Sequence, residues 1–250
     1  KTATIRQTFM DLILFHHAEY ESLYNCSFYN VEDVPLERRQ YIVLGWIFIV
    51  LFVVFEVLYI PCIFAIGKSL QHASFKFMFY IGILDIVVLC VAGLLTGYFA
   101  ITGAVFCSHP TLIYVSGIFG LGLWIAESTA SMVLALNRCF EVCSPRIANI
   151  IYGGKAAWLW LVPVSLYAFC TVYFGKIITF SGIYMAWFFN PHVGYDDDFG
   201  TTYHNYVASA HNLVVCVGLT VLYLGFCISL LYKRCYYDQS SNTVQHDSKH

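Results

Sequence analysis

Apolar residues gather into five long runs, at about 41–66, 76–103, 110–136, 156–180 and 205–232, separated by polar connections. A hydrocarbon core about 30 Å thick is crossed by about 20 apolar residues in a helix, and each run is at least that long. In lipid the backbone must satisfy its own hydrogen bonds, so the runs are expected as helices. No ten-residue apolar/polar alternation of the kind a barrel needs appears. The fold class is therefore an all-α membrane protein with five predicted transmembrane helices in residues 41–236. Residues 1–40 form an outer N-terminal segment, and the polar stretch 237–250 is expected to be a disordered cytoplasmic tail. The first three connections are short enough to make successive helices antiparallel neighbours.

Composition supports this reading: 59% of residues are hydrophobic and 11% charged, against about 25% charged in an ordinary globular domain. With a net charge of −2 no nucleic-acid partner is expected, and the lipid bilayer is the first partner. Basic residues near helix ends favour the cytoplasmic side. Lys68, Lys76, Arg138, Arg146, Lys155, Lys233 and Arg234 all fall on one set of connections, while 104–109 and 181–204 carry no Lys or Arg and the latter holds Asp196, Asp197 and Asp198. The N-terminal segment holds Lys1, Arg6, Arg38 and Arg39, but six acidic residues accompany them. The N-terminus is thus expected outside and the C-terminus in the cytoplasm. Asn25-Cys26-Ser27 fits the glycan acceptor pattern of lumenal segments; its alternative is an unmodified polar turn. The run Leu12-Ile13-Leu14-Phe15, broken by Asp11, is too short for a signal peptide.

Of ten cysteines, Cys62, Cys90, Cys170, Cys216 and Cys227 lie within helices as small apolar side chains, and Cys139, Cys143 and Cys235 face a reducing cytoplasm, where palmitoylation is one use. Cys26 and Cys107 remain as the one pair in outer segments. A disulfide between them would staple the N-terminal segment over the third helix; the alternative is two unpaired thiols. The 181–204 loop is aromatic at its start, with Tyr184, Trp187, Phe188 and Phe189, which suits an anchor at the lipid headgroups or a lid over a cavity.

Charge at mid-membrane is costly, so polar residues inside the apolar runs are the candidate functional groups. Glu56 lies in the first helix, Asp85 in the second and Glu127 in the third. Asp85 is about 13 Å along the axis from Lys76, in the inner half of the bilayer. Each carboxyl is open to three readings: a structural hydrogen bond, an ion- or proton-linked switch, or ligand contact. Arg138, in Asn137-Arg138-Cys139, lies about 42 Å along the third helix from Pro110, at the cytoplasmic boundary. It is either a basic anchor or a group that locks and releases neighbouring helices.

Seven motifs, in order along residues 23–236, carry a family resemblance. They are Leu23-Tyr24-Asn25-Cys26-Ser27, Leu58-Tyr59-Ile60-Pro61-Cys62, Gly82-Ile83-Leu84-Asp85, the stretch from Gly97 to Pro110 around Cys107, Gly120-Leu121-Gly122-Leu123-Trp124, Leu136-Asn137-Arg138-Cys139 and Ala186-Trp187-Phe188-Phe189-Asn190-Pro191. In these the chain resembles the Srt family of nematode serpentine chemoreceptors. The resemblance implies a rhodopsin-like serpentine bundle that senses small environmental molecules in chemosensory cells and acts through a heterotrimeric G protein. It puts Asn137-Arg138-Cys139 at the place of the Asp-Arg-Tyr switch and Asp85 at that of the second-helix aspartate that can hold sodium. Asparagine at 137 removes the acidic neighbour of the arginine, so the usual ionic lock is not carried over. Loop 181–204 lacks the cysteine of the usual disulfide, and Cys26 stands in as the partner of Cys107. The resemblance also implies seven helices, and residues 233–250 offer no sixth or seventh. The chain is therefore expected to be an incomplete or degenerate copy, with a non-signalling protein that pairs with other receptor chains as the alternative.

Other classes fit less well. A transporter would show inverted repeats or broken helices, and a channel a re-entrant filter. The nine histidines show no metal-ligand spacing. No enzyme activity, metal or cofactor is expected.

Overall fold

The computed structural model describes residues 23–27, 29–196 and 202–247, with the backbone alone from 235 onward. Lys1, Arg6, Asp11, the run 12–15, Asp197 and Asp198 lie outside the described residues, as does the side chain of Cys235. Among the described residues five helices are long and apolar enough to cross a membrane. They are α1 (Ile42–Gly67), α2 (Ala73–Thr102), α3 (Pro110–Cys143), α4 (Ala156–Phe174) and α5 (Tyr206–Asp247). A short helix, Pro145–Tyr152, joins α3 to α4, and two short strands, β1 (Thr179–Ser181) and β2 (Ala186–Phe188), lie between α4 and α5.

Four boundaries differ from the hydropathy reading, each for a local reason. α2 begins at Ala73, three residues before 76, so Lys76 is a helical residue, buried, with Nζ donating to the Gly154 carbonyl. α3 continues to Cys143 because nothing between 136 and Pro145 breaks a helix, and Asn137 and Arg138 therefore sit inside it. α4 stops at Phe174, before 180: Gly175 turns extended and Ile177, Ile178 and Thr179 are β-branched residues suited to a strand. Lys176 thereby joins the outer loop, which is not free of basic residues. Finally, α5 runs to Asp247, through the tail 237–250 expected to be disordered. No Gly or Pro follows Gly225, so the backbone ladder has no point at which it must end.

Packing is organised around α3, the most buried of the five, which contacts α2, α4, α5 and β1. α1 lies at the edge against α2. A Cβ on Gly45 would come within 2.7 Å of the Gly97 carbonyl oxygen, and one on Gly97 equally close to that of Gly45, so these glycines allow the two backbones to meet. Small residues serve close helix approach in membranes in this way. On the far side of α1, Val43, Val50, Val57 and Phe64 recur every seven residues at 57–73% exposure, an apolar stripe of the kind that faces lipid. The buried core divides into an outer cluster around Phe99, Phe106, Ile113 and Phe180 and an inner one around Phe77, Ala130, Tyr152 and Leu161.

Within α2 the helix widens into a single π turn at Cys90–Leu95 before resuming. Such bulges are frequent at functional sites. Here Thr96 lies just past the turn: its backbone N–H and its Oγ1 both donate to the Val91 carbonyl, the latter at 2.9 Å.

Candidate functional site

Polar groups cluster at three depths. At the outer end, Cys26 and Cys107 form a disulfide with Cα atoms 5.5 Å apart, joining the N-terminal segment to the connection that precedes α3. The expected pair is thus present. Beside it Tyr24 Oη accepts from the Ile177 N–H at 3.1 Å, and Arg39, buried, donates from Nη1 to the Gly103 carbonyl at 2.6 Å. The hairpin pairs β1 and β2 antiparallel, Phe180 opposite Trp187. Gly117 of α3 lets the Ile178 carbonyl approach so closely that a Cβ there would collide with it.

The aromatic start of the loop divides between its two readings. Trp187 points inward: its ring lies 5.6 Å from that of Phe180 and 6.2 Å from that of Phe99, and Nε1 donates to Thr96 Oγ1 at 3.1 Å. Tyr184 remains 58% exposed. The tryptophan is therefore seated by the same threonine that follows the π turn, a partnership that two residues 91 positions apart do not reveal in sequence. Farther out, Tyr29 and Tyr195 stack at 3.9 Å beside the ring of His192.

At mid-bundle, Tyr59 Oη donates to Asp85 Oδ2 at 2.8 Å, and the Glu127 carboxyl lies beside that of Asp85. α1, α2 and α3 each supply one member. Two neighbouring carboxyl groups among apolar helices are costly to ionise together, so this arrangement can hold a proton. Glu56 is not joined to the group; its Oε1 is buried with no hydrogen-bond partner among the described residues. The three carboxyls of the sequence reading are thus a pair and a singleton, and the tyrosine that completes the pair was missed. Its spacing of three residues from Glu56 was the available signal.

A second polar link at this level had no precursor in the reading. Ser128 Oγ donates to the Trp124 carbonyl at 2.7 Å, which leaves it to accept from His211 Nε2 at 2.8 Å; His211 Nδ1 then accepts from Tyr167 Oη at 3.2 Å. One neutral imidazole, 8% exposed, thereby ties α5 to α3 and α4.

At the inner end Asn137 is 1% exposed, and Ser74 Oγ lies 2.7 Å from its Oδ1 and 3.0 Å from Glu141 Oε1. One hydroxyl proton serves two acceptors there. Asn137 Nδ2 is buried without a hydrogen-bond partner among the described residues. Arg138 Nη1 pairs with Glu141 Oε2 at 3.3 Å, one turn onward in α3. The acidic neighbour missing at position 137 is therefore supplied from position 141. The i, i+3 spacing of Arg138 and Glu141 was legible, but the expected end of the helix at 136 hid it. Asn25 is exposed, and its Oδ1 accepts from the Ser27 N–H at 2.9 Å.

The family model "Serpentine type 7TM GPCR chemoreceptor Srt" matches residues 8–249. A curated relative, "Serpentine receptor class T-55" of Caenorhabditis elegans, is 24% identical over 153 residues, which is 61% of this chain. The match spans 41% of that relative's length.

Proposed function

The chain belongs to the Srt family of serpentine chemoreceptors, and from that premise we propose that it detects small environmental molecules and acts through a heterotrimeric G protein. The observation that carries this reading is the family match along nearly the whole chain. Ligand would bind beside the hairpin, where the half-buried Trp187 ring, backed by Phe180 and Phe99, offers an aromatic face to an apolar or aromatic molecule. Asp85, Glu127 and Tyr59 would serve as the mid-bundle relay, and Arg138 with Asn137 as the cytoplasmic switch.

The proposed orientation places the N-terminus outside and the C-terminus in the cytoplasm. The Cys26–Cys107 disulfide supports it, because such bonds persist on the oxidising side of the membrane. Asn25, exposed next to that disulfide, is the proposed glycan acceptor. The plasma membrane of sensory cells is the proposed location.

The test is a G-protein activation reporter in cells expressing this chain alone and together with a full-length Srt relative, challenged with a panel of small volatile and polar molecules. Ligand-dependent activation in the reporter is the outcome expected of a receptor, with a band that shifts on glycosidase treatment. Surface expression without activation, together with altered delivery of the relative, would replace receptor by pairing partner. An unshifted band would remove the glycan at Asn25.

A further inference from the structure

His192 sits in the outer loop and takes no part in the relay or the switch. It is 3% exposed, although it lies outside the membrane-spanning helices. Its backbone is held in a local turn: its N–H donates to Asn190 Oδ1 at 2.8 Å, and its carbonyl accepts from the N–H groups of Tyr195 and Asp196, each at 2.9 Å. Its ring is enclosed by three separate segments. The N-terminal segment contributes the Tyr29 ring, 5.5 Å away, and the Leu23 carbonyl; the lead-in to α5 contributes the Tyr203 ring at 6.0 Å. From its own loop come the Asp196 carboxylate and, stacked on Tyr29, the Tyr195 ring. Tyr195 Oη donates to the Val31 carbonyl and Tyr203 Oη to the Leu23 carbonyl, both at 2.9 Å, so the contacts that bury the imidazole also close the cap. Glu32, Asp33 and Arg39 lie around Tyr195.

We propose that His192 is an acid-sensitive latch: proton binding to its imidazole releases the N-terminal segment from the 189–196 loop and opens the cap at the outer end of the bundle. The proposal rests on the outward orientation argued above, which exposes this face to environmental acid. An imidazolium enclosed by tyrosine rings loses most of its hydration, which outweighs the attraction of the neighbouring Asp196 carboxylate. Burial accordingly lowers the pKa of His192 from its usual 6.5, against the smaller opposing effects of the Leu23 carbonyl and Asp196. The sign is therefore fixed. The closed cap keeps its full stability above about pH 6.5 and loses it as pH falls through the lowered value, because the open form takes up the proton first. The Cys26–Cys107 bond keeps the released segment tethered, so opening is local and reversible.

Hydrogen exchange of the purified chain in detergent, followed by mass spectrometry from pH 7.5 to 4.5 and corrected for intrinsic rates, tests the latch. Both faces meet the buffer in a micelle, so failure here is distinct from failure of the orientation or of the receptor function. Amides of 29–33 and 189–196 should lose protection by about tenfold below pH 6.5, with α3 unchanged. His192→Phe, or His192→Gln should the first not fold, should abolish the step, and Asp196→Asn should move it to lower pH. A step of equal size in the His192 variants, no step in the wild type, or loss of protection in α3 together with the cap would each overturn the proposal.

Discussion

The two ends of the bundle are held by different physics. Outside, a disulfide, a buried arginine on a backbone carbonyl, a strand pair and an inward tryptophan hold the N-terminal segment, the loop and the top of α3 in one cap. Inside, the apolar cluster around Phe77 and Ala130 packs α2 on α3, and the polar link between them is one serine hydroxyl shared by Asn137 and Glu141, beside an ion pair within α3 whose side chains are 41% and 36% exposed. At the disulfide and the strand pair the outer end uses bonds that leave few alternatives. At the inner end the Asn137 Nδ2 donor has no hydrogen-bond partner among the described residues and one proton is divided between two acceptors, so the polar contacts there have alternatives open to them.

The strongest challenge to this contrast is removal of the disulfide. Cys26→Ser should lower stability by about 2–5 kcal/mol, since the bond closes a loop across a sequence separation of 81 residues. Thermal unfolding of the chain in detergent, read against the wild type, measures this. A fall no larger than that of an inner-end variant would break the contrast. The hairpin offers a gentler probe. Thr96→Val preserves shape at a buried site but leaves the Trp187 indole N–H without its acceptor, at about 1–3 kcal/mol. Tryptophan fluorescence and melting temperature should both move; an unchanged melting point would mean that the lid is held by ring packing alone. The smallest effect is expected inside. Glu141→Gln removes an ion pair that is more than a third exposed, worth about 1 kcal/mol or less after solvent screening. Stability should hardly change, while spin-label distances between the start of α2 and the end of α3 should broaden. A sharp, unaltered distance would return Glu141 and Arg138 to the status of a solvated surface pair.

Much of the inner end escaped the sequence because one boundary was set too early. Ending α3 at 136 placed Arg138 at a helix terminus, where basic residues are ordinary, and hid Glu141 one turn away on the same face. The outer end was more legible, since assigning each cysteine to a compartment left Cys26 and Cys107 as one pair. The hairpin escaped for another reason. Its strands are three residues each, and only Gly175 and Lys176 separate the apolar helix from Ile177, too short a break for a hydropathy window to register, so Ile177 to Phe180 reads as helix. His192 carried no mark at all, because a loop histidine becomes a buried one only when segments far apart in sequence close around it.

By itself the sequence determined the five membrane-crossing helices, their approximate spans and the family. A bilayer reads the length and apolarity of each segment independently, and that property is local. Only the tertiary structure decided the partners. It joined Asp85 to Tyr59, His211 to Ser128 and Tyr167, Arg138 to Glu141 and Trp187 to Thr96. A buried polar group must take whichever partner the packing brings within about 3 Å, and except for Arg138 and Glu141 those partners lie on other segments of the chain.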